Sequence, residues 1–287
     1  MRSLLILTAL ICLLAPSFVR AEYRTWTEQA SGRTLLAELR EVNDGQATLR
    51  LQSGPTHQVD IKSLSEADLV YLGELGHFDL KAHRAAATRE QLQQQLEGVV
   101  LGELLHQNAF EEMISGDTGW VHGNGLWSVE NGELTGKEDP AQNHVAAAVW
   151  RAPLKDVVVL AECKFSGSSS IQYRFDADQG HLGGFSIEPE NKRIVIPRQN
   201  YTRSDATPPT WLGSAPHEIE QDKWYPVILQ SIGDTWTIYF DGEVYRGTDP
   251  SCAMEKSSFG FIVAGESASF RHLSIWEASM AVEAGSE

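Results

Sequence analysis

The feature that most constrains this chain is how it is cut up. From Val157 onward, strand-length runs rich in branched and aromatic residues follow one another, and no stretch between them keeps a helical spacing. The runs are Val157 to Phe165, Ser170 to Phe175, Gly184 to Glu188, Arg193 to Ile196, Trp224 to Ser231, Thr235 to Phe240, Phe259 to Ala264 and Ser269 to Trp276, with Gly233-Asp234 and Asp241-Gly242 as turns. Each such strand has one apolar face to bury, so the sheets they form must stack or close. A β-sandwich over residues 108–278 is the expected result.

The same punctuation recurs near the N-terminus. Runs at Arg24 to Thr27, Leu35 to Val42, Gln46 to Gln52 and His57 to Ile61 are broken by Ser31-Gly32, Asn43-Asp44-Gly45 and Ser53-Gly54-Pro55, residues that accept the positive φ of tight hairpins. Ser65 then caps a helix with Asp68 three positions on, and Leu69 and Leu72 continue the helical spacing. Residues 22–76 therefore read as a small four- or five-stranded barrel closed by a helix. Between the two β regions, 77–107 shift to Ala, Gln, Glu, Leu and Arg, with Leu92, Leu96, Val99 or Val100 and Leu104 at helical spacing. This predicts a helical connector, too short in heptads for a coiled coil.

The ends and the charge bound the setting. Met1-Arg2-Ser3, the apolar run Leu4 to Leu14 and Pro16 to Ala21 have the order of a secretory signal, with cleavage expected after Ala21. The apolar run falls short of the about 20 residues that a membrane helix needs. The tail, 279–287, reads as disordered, and the mature chain is expected in the periplasm or outside the cell. A net charge of −16 opposes nucleic acid and anionic lipid. Cys163 and Cys252 remain after cleavage. Export permits their pairing, and the apolar alternation around Cys163 equally suits a free buried thiol. No CxxC or helical histidine pair points to a metal, and no cofactor is expected.

Two resemblances attach to particular residues. Arg24-Thr25-Trp26, Ser31-Gly32, Ala37-Glu38-Leu39, Val42-Asn43-Asp44-Gly45, Leu64 to Asp68 and Tyr71-Leu72 resemble the first homology domain of the yeast endocytic adaptor Sla. That resemblance implies an SH3-like barrel with a protein or peptide partner. Further on, Phe110 to Gly116 before Trp120, Trp127 to Leu134, Ile171 to Arg174, Trp224-Tyr225, Phe240-Asp241-Gly242 and Phe270 to Ile275 resemble the 3-keto-disaccharide hydrolase family. This one implies a concanavalin-like jelly roll and a hydrolase or lyase acting on a keto-disaccharide or glucoside.

Strand alternation selects the candidate site. It sets Glu162, Gln172, Arg174 and Glu188 on outward faces, and if their strands are neighbours in one sheet these residues share one surface. Glycoside cleavage commonly uses a carboxylic acid and a carboxylate, so Glu162 and Glu188 are the candidate catalytic pair, with Arg174 beside them. His181 lies in a Gly-rich loop as a candidate base, metal ligand or substrate contact. Trp211 and Tyr201 sit in a polar segment where an exposed ring offers a plane for a sugar. The functional expectation is an exported protein that binds or hydrolyses a glycan or disaccharide, with the barrel as an interaction module. The alternative is a non-catalytic adaptor that grips a peptide.

Overall fold

The computed structural model describes residues 23–178, 180–199 and 208–281. The signal segment 1–21 lies outside them, as do residues 282–287 of the tail. The described chain is mainly β and divides into two compact units between Arg84 and Ala85.

In the first unit, β1 (Arg24–Thr27), β2 (Thr34–Asn43), β3 (Gln46–Leu51) and β4 (Thr56–Asp60) form an antiparallel sheet in sequence order, followed by helix α1 (Glu66–Glu74). The predicted strands and helix agree to within a residue or so, because each turn residue was of the kind its hairpin required. Trp26, Ala37, Leu49, Ile61, Leu69 and Leu72 make the core. The residues that carried the first resemblance meet one another here. Arg24 Nη2 donates to Asp68 Oδ1 at 2.8 Å, and the Thr27 amide and Ser65 hydroxyl donate to Asp68 Oδ2 at 2.8 and 2.7 Å. The Arg24 guanidinium also lies 3.9 Å from the Tyr71 ring centre. The motif thus ties the start of the sheet to the helix through one buried carboxylate, and losing either partner of such a pair is costly.

The division between units falls within α2 (Leu80–Gln95). The connector was expected to stay helical through Gln107. Instead, after Glu97-Gly98 the chain becomes β5 (Val99–Asn108). A spacing of four, as in Leu96, Val100 and Leu104, is shared by a helix face and a strand face, so periodicity alone does not separate them. Ala85 and Leu92 of α2, with Leu96 just beyond its end, pack on Leu101, Val158, Ile228 and Trp276.

The remaining strands are β6 (Trp120–Asn124), β7 (Leu126–Glu130), β8 (Glu133–Lys137), β9 (Ala146–Leu154), β10 (Val157–Phe165), β11 (Ser168–Ala177), β12 (Gly180–Glu188), β13 (Arg193–Arg198), β14 (Thr210–Pro216), β15 (Trp224–Ile232), β16 (Thr235–Phe240), β17 (Glu243–Thr248), β18 (Lys256–Gly265) and β19 (Ala268–Met280). Ser279 and Met280, assigned to the tail from sequence, still belong to β19. An eight-stranded antiparallel sheet runs β17-β16-β15-β10-β19-β8-β7, with β5 also paired to β19; a seven-stranded one runs β14-β13-β12-β11-β18-β9-β6. Val159, Ala161, Ile238 and Ile275 from the first meet Ile171, Tyr173, Phe185 and Phe261 from the second in one core. This agrees with a jelly-roll sandwich.

Cys163 and Cys252 are both free and buried. Burial pushes their thiols up to about 12 and about 11, which leaves them unreactive. Lys256 is also buried, and its ammonium donates to the carbonyls of Lys155, Cys252 and Met254 at 2.6, 3.0 and 3.1 Å. Burial lowers its pKa to about 8. Those three bonds fasten the β9–β10 turn to the segment before β18, at one end of the sandwich.

Candidate functional site

The outer face of the seven-stranded sheet begins with alternation in β11. Ile171, Tyr173 and Phe175 enter the core, so Gln172, Arg174 and Asp176 face outward. A bulge in β12 then sets the partner of Asp176. Phe175 pairs with Gly183 while Asp176 pairs with His181, and the skipped Leu182 is buried in the core. Gly183 and Gly184 sit at φ +123° and +148°, a conformation closed to side-chain-bearing residues, so the bulge needs glycine there.

The result is a compact trio. Arg174 Nε lies 2.9 Å from Asp176 Oδ1, and His181 Nδ1 lies 2.8 Å from the same oxygen. Ser258 Oγ approaches Asp176 Oδ2 at 3.4 Å. The side chains of Arg174 and Asp176 are 11% and 17% exposed, whereas His181 is 40% exposed. Burial by itself raises the Asp176 pKa, but the hydrogen bond from His181 and the Arg174 charge outweigh it and hold the carboxyl below its ordinary value. An ionised Asp176 accepts the Nδ1–H of His181, which leaves Nε2 as the basic nitrogen. Gly184 and Gly260 flank Arg174 in register, so neither cross-strand partner adds a side chain beside it. Over the trio opens a cavity of about 460 Å³, bounded also by Asn124, Val149 and Arg151.

The shared surface expected for Glu162 is not formed. β10 belongs to the eight-stranded sheet, and β11 and β12 belong to the other, so Glu162 faces outward on the opposite side of the core from Arg174 and Glu188. The link at Ser166-Gly167 crosses between sheets rather than closing a hairpin within one, a choice to which alternation is blind. Glu162 has its own trio. Arg271 Nη2 and His272 Nδ1 lie 2.6 and 2.8 Å from its two oxygens, and Arg271 also stacks 4.1 Å from the Trp224 ring centre. Burial works to raise its pKa, yet His272 and Arg271 hold it below its ordinary value, so it favours the ionised form rather than that of a proton-donating acid. The proposed acid pair is therefore split between two faces.

Glu188 does lie on the face of Arg174, but it is occupied by Arg193 at 2.7 Å and Asn191 at 2.8 Å. Gln172, half-buried, pairs with Ser186 and Ile262 on the same face. Trp211 was read as a loop residue; it stands in β14, the edge strand, 49% exposed, with the Arg193 guanidinium 4.2 Å from its ring centre. Leu212 packs on the core, which turns Trp211 outward. Tyr201 lies outside the described residues. Asp176, Arg151 and Ser258 were missed. For Asp176 the signal was present: it extends the Gln172, Arg174 alternation by one step past the expected strand end at Phe175. Among the described residues, no group of three His, Cys, Asp or Glu side chains is arranged to hold a metal, and no helix is long and apolar enough to cross a membrane.

No protein-family model matches the chain, and no curated protein matches it. Among solved structures it is similar to a carbohydrate-binding module of Bacillus subtilis, with 17% identity over 56% of this chain and 96% of that one and a TM-score of 0.47. It is also similar to a Bacillus subtilis protein with a galectin-like fold (12% identity, 64% and 100% covered, TM-score 0.48). A third is porphyranase B of Zobellia galactanivorans (10% identity, 64% and 95% covered, TM-score 0.46).

Proposed function

We propose that this is an exported protein whose second unit binds a carbohydrate on the outer face of the seven-stranded sheet. The observation that carries this reading is the Arg174–Asp176–His181 trio beneath a cavity of about 460 Å³. A cavity of that size suits a small ligand, with a few fixed polar groups to set its orientation. An ionised carboxylate beside a guanidinium and an imidazole offers an acceptor and several donors side by side, the complement of adjacent sugar hydroxyls. Further along the same face, the exposed ring of Trp211 offers an apolar plane for the CH side of a sugar. Gln172 extends the polar row along β11 from Arg174.

Binding takes precedence over hydrolysis by paired acids, because Glu162 and Glu188 face opposite ways. A hydrolytic role would draw instead on His181, with Asp176 orienting it. The first unit completes the reading as an SH3-like interaction module for a protein or peptide, supported by the four-stranded meander and its Ser65-capped helix. The test is a glycan array on the full chain beside its Arg174→Ala and His181→Ala variants, with product analysis on each glycan retained. Signals that both variants abolish are the expected result. A blank array, or signals that neither variant changes, would end the carbohydrate reading.

A further inference from the structure

The cavity over the trio has a larger neighbour at the end of the sandwich. Arg151, Ala177, Asp178 and Ser257 line both it and that larger cavity, of about 1040 Å³, so the two adjoin around these residues. The larger part is bounded by the β9–β10 turn, by Met254 and Glu255, and by Glu277 and Ala278 of β19. Its shape is fixed in advance. Lys256, buried at its base, binds the carbonyls of Lys155, Cys252 and Met254 and so holds two of its walls at a set distance. A preformed groove loses little order when a ligand enters.

We propose that the ligand is a neutral, linear oligosaccharide that starts over Arg174 and His181, passes Arg151 and continues into the larger cavity. The inference rests on the carbohydrate reading above and adds length and charge to it. Length follows from size, since the smaller cavity by itself suffices for a small ligand while the larger one lies at the top of the usual range for such sites. Charge follows from the lining. Asp156, Asp178, Glu255 and Glu277 line the larger cavity against Arg151 and Lys155, the Lys256 ammonium being bound by carbonyls, and the whole chain carries −16. Such a field repels uronate or sulfate groups. Met254, 37% exposed, gives that part of the groove an apolar patch for a ring face.

Titration calorimetry on the full chain decides the matter, using cello-, xylo-, manno- and galacto-oligosaccharides of two and of six units, and oligogalacturonates of the same lengths. In the series that binds, the hexasaccharide is expected about tenfold tighter than the disaccharide, and the acidic series weaker than the neutral one. Met254→Asp is expected to remove the gain with length and leave disaccharide binding unchanged. Equal affinity at both lengths, or tighter binding of the oligogalacturonate, overturns the proposal while the carbohydrate reading stands. If no sugar binds at either length, the carbohydrate reading itself falls, and the array fails with it.

Discussion

Each of the two outer faces of the sandwich carries a trio of one acid, one arginine and one histidine. On the seven-stranded sheet, Asp176 is held by Arg174 and His181; on the eight-stranded sheet, Glu162 is held by Arg271 and His272. Each trio is assembled by an irregularity in strand pairing, between Phe175 and Asp176 in one and between Leu160 and Glu162 in the other. Each keeps its acid ionised. They differ in depth. The side chains of the first trio's acid and arginine are 17% and 11% exposed and lie under a cavity, whereas those of the second are 24% and 32% exposed, with His272 at 62%. Water competes more for the bonds of the second trio than for those of the first, so similar groups make a largely buried cluster in one place and a more exposed ion pair in the other.

The largest effect that tests this contrast is on stability. Asp176→Asn takes the carboxylate away from the buried Arg174 guanidinium, and a loss of about 3 kcal/mol is expected. Glu162→Gln on the exposed trio should cost under about 1 kcal/mol. Urea denaturation of both variants measures the difference, and equal losses would erase the distinction between the faces.

The dependence on pH sharpens it. Both carboxyls titrate below their ordinary values of 3.8 and 4.5 in the folded chain. As pH falls, the unfolded chain therefore binds protons first, so the stability these trios supply is complete above about 4.5 and drains away as pH drops through the lowered folded values. Acid denaturation of Asp176→Asn should show a flatter limb than the parent, and Glu162→Gln a limb closer to it. The reverse order would assign the greater burden to the exposed trio.

Ligand binding separates the faces more finely. His181→Ala is expected to weaken glycan binding about tenfold, which corresponds to about 1.4 kcal/mol, while His272→Ala leaves it unchanged. Binding lost through His272 would move the site to the other sheet. The smallest effect is expected from Trp211→Ala, about fivefold in affinity by the usual worth of an aromatic contact of about 1 kcal/mol, with no change in Tm. A large fall in Tm would make Trp211 part of the packing instead.

Sequence alone carried a good deal of this. The hairpins of the first unit, the strand Val157–Phe165 and the outward placement of Gln172 and Arg174 all follow from turn residues and from a period of two, which are local properties. The strands it passed over had local reasons too. β9 opens with Ala146-Ala147-Ala148, which lacks the branched residues that mark a strand, and its alanines fit because Ala146 and Ala148 are packed in the core. β14 is an edge strand with half of its pairing absent, so its sequence Thr-Trp-Leu-Gly-Ser-Ala-Pro is free to be polar and proline-bearing.

What the tertiary structure decided was partnership. Alternation says which side of a strand a residue faces and is silent about which sheet the strand joins, so it grouped Glu162 with Glu188 when the fold sets them on opposite sides of a core. The meeting of Asp176 with His181 depends on one skipped residue, Leu182, whose burial turns His181 back toward the acid. The fastening of the β9–β10 turn to the segment before β18 depends on Lys256 reaching the Lys155 carbonyl, 101 residues away in sequence. Contacts at that range are set by how the two sheets pack, and no spacing along the chain encodes them.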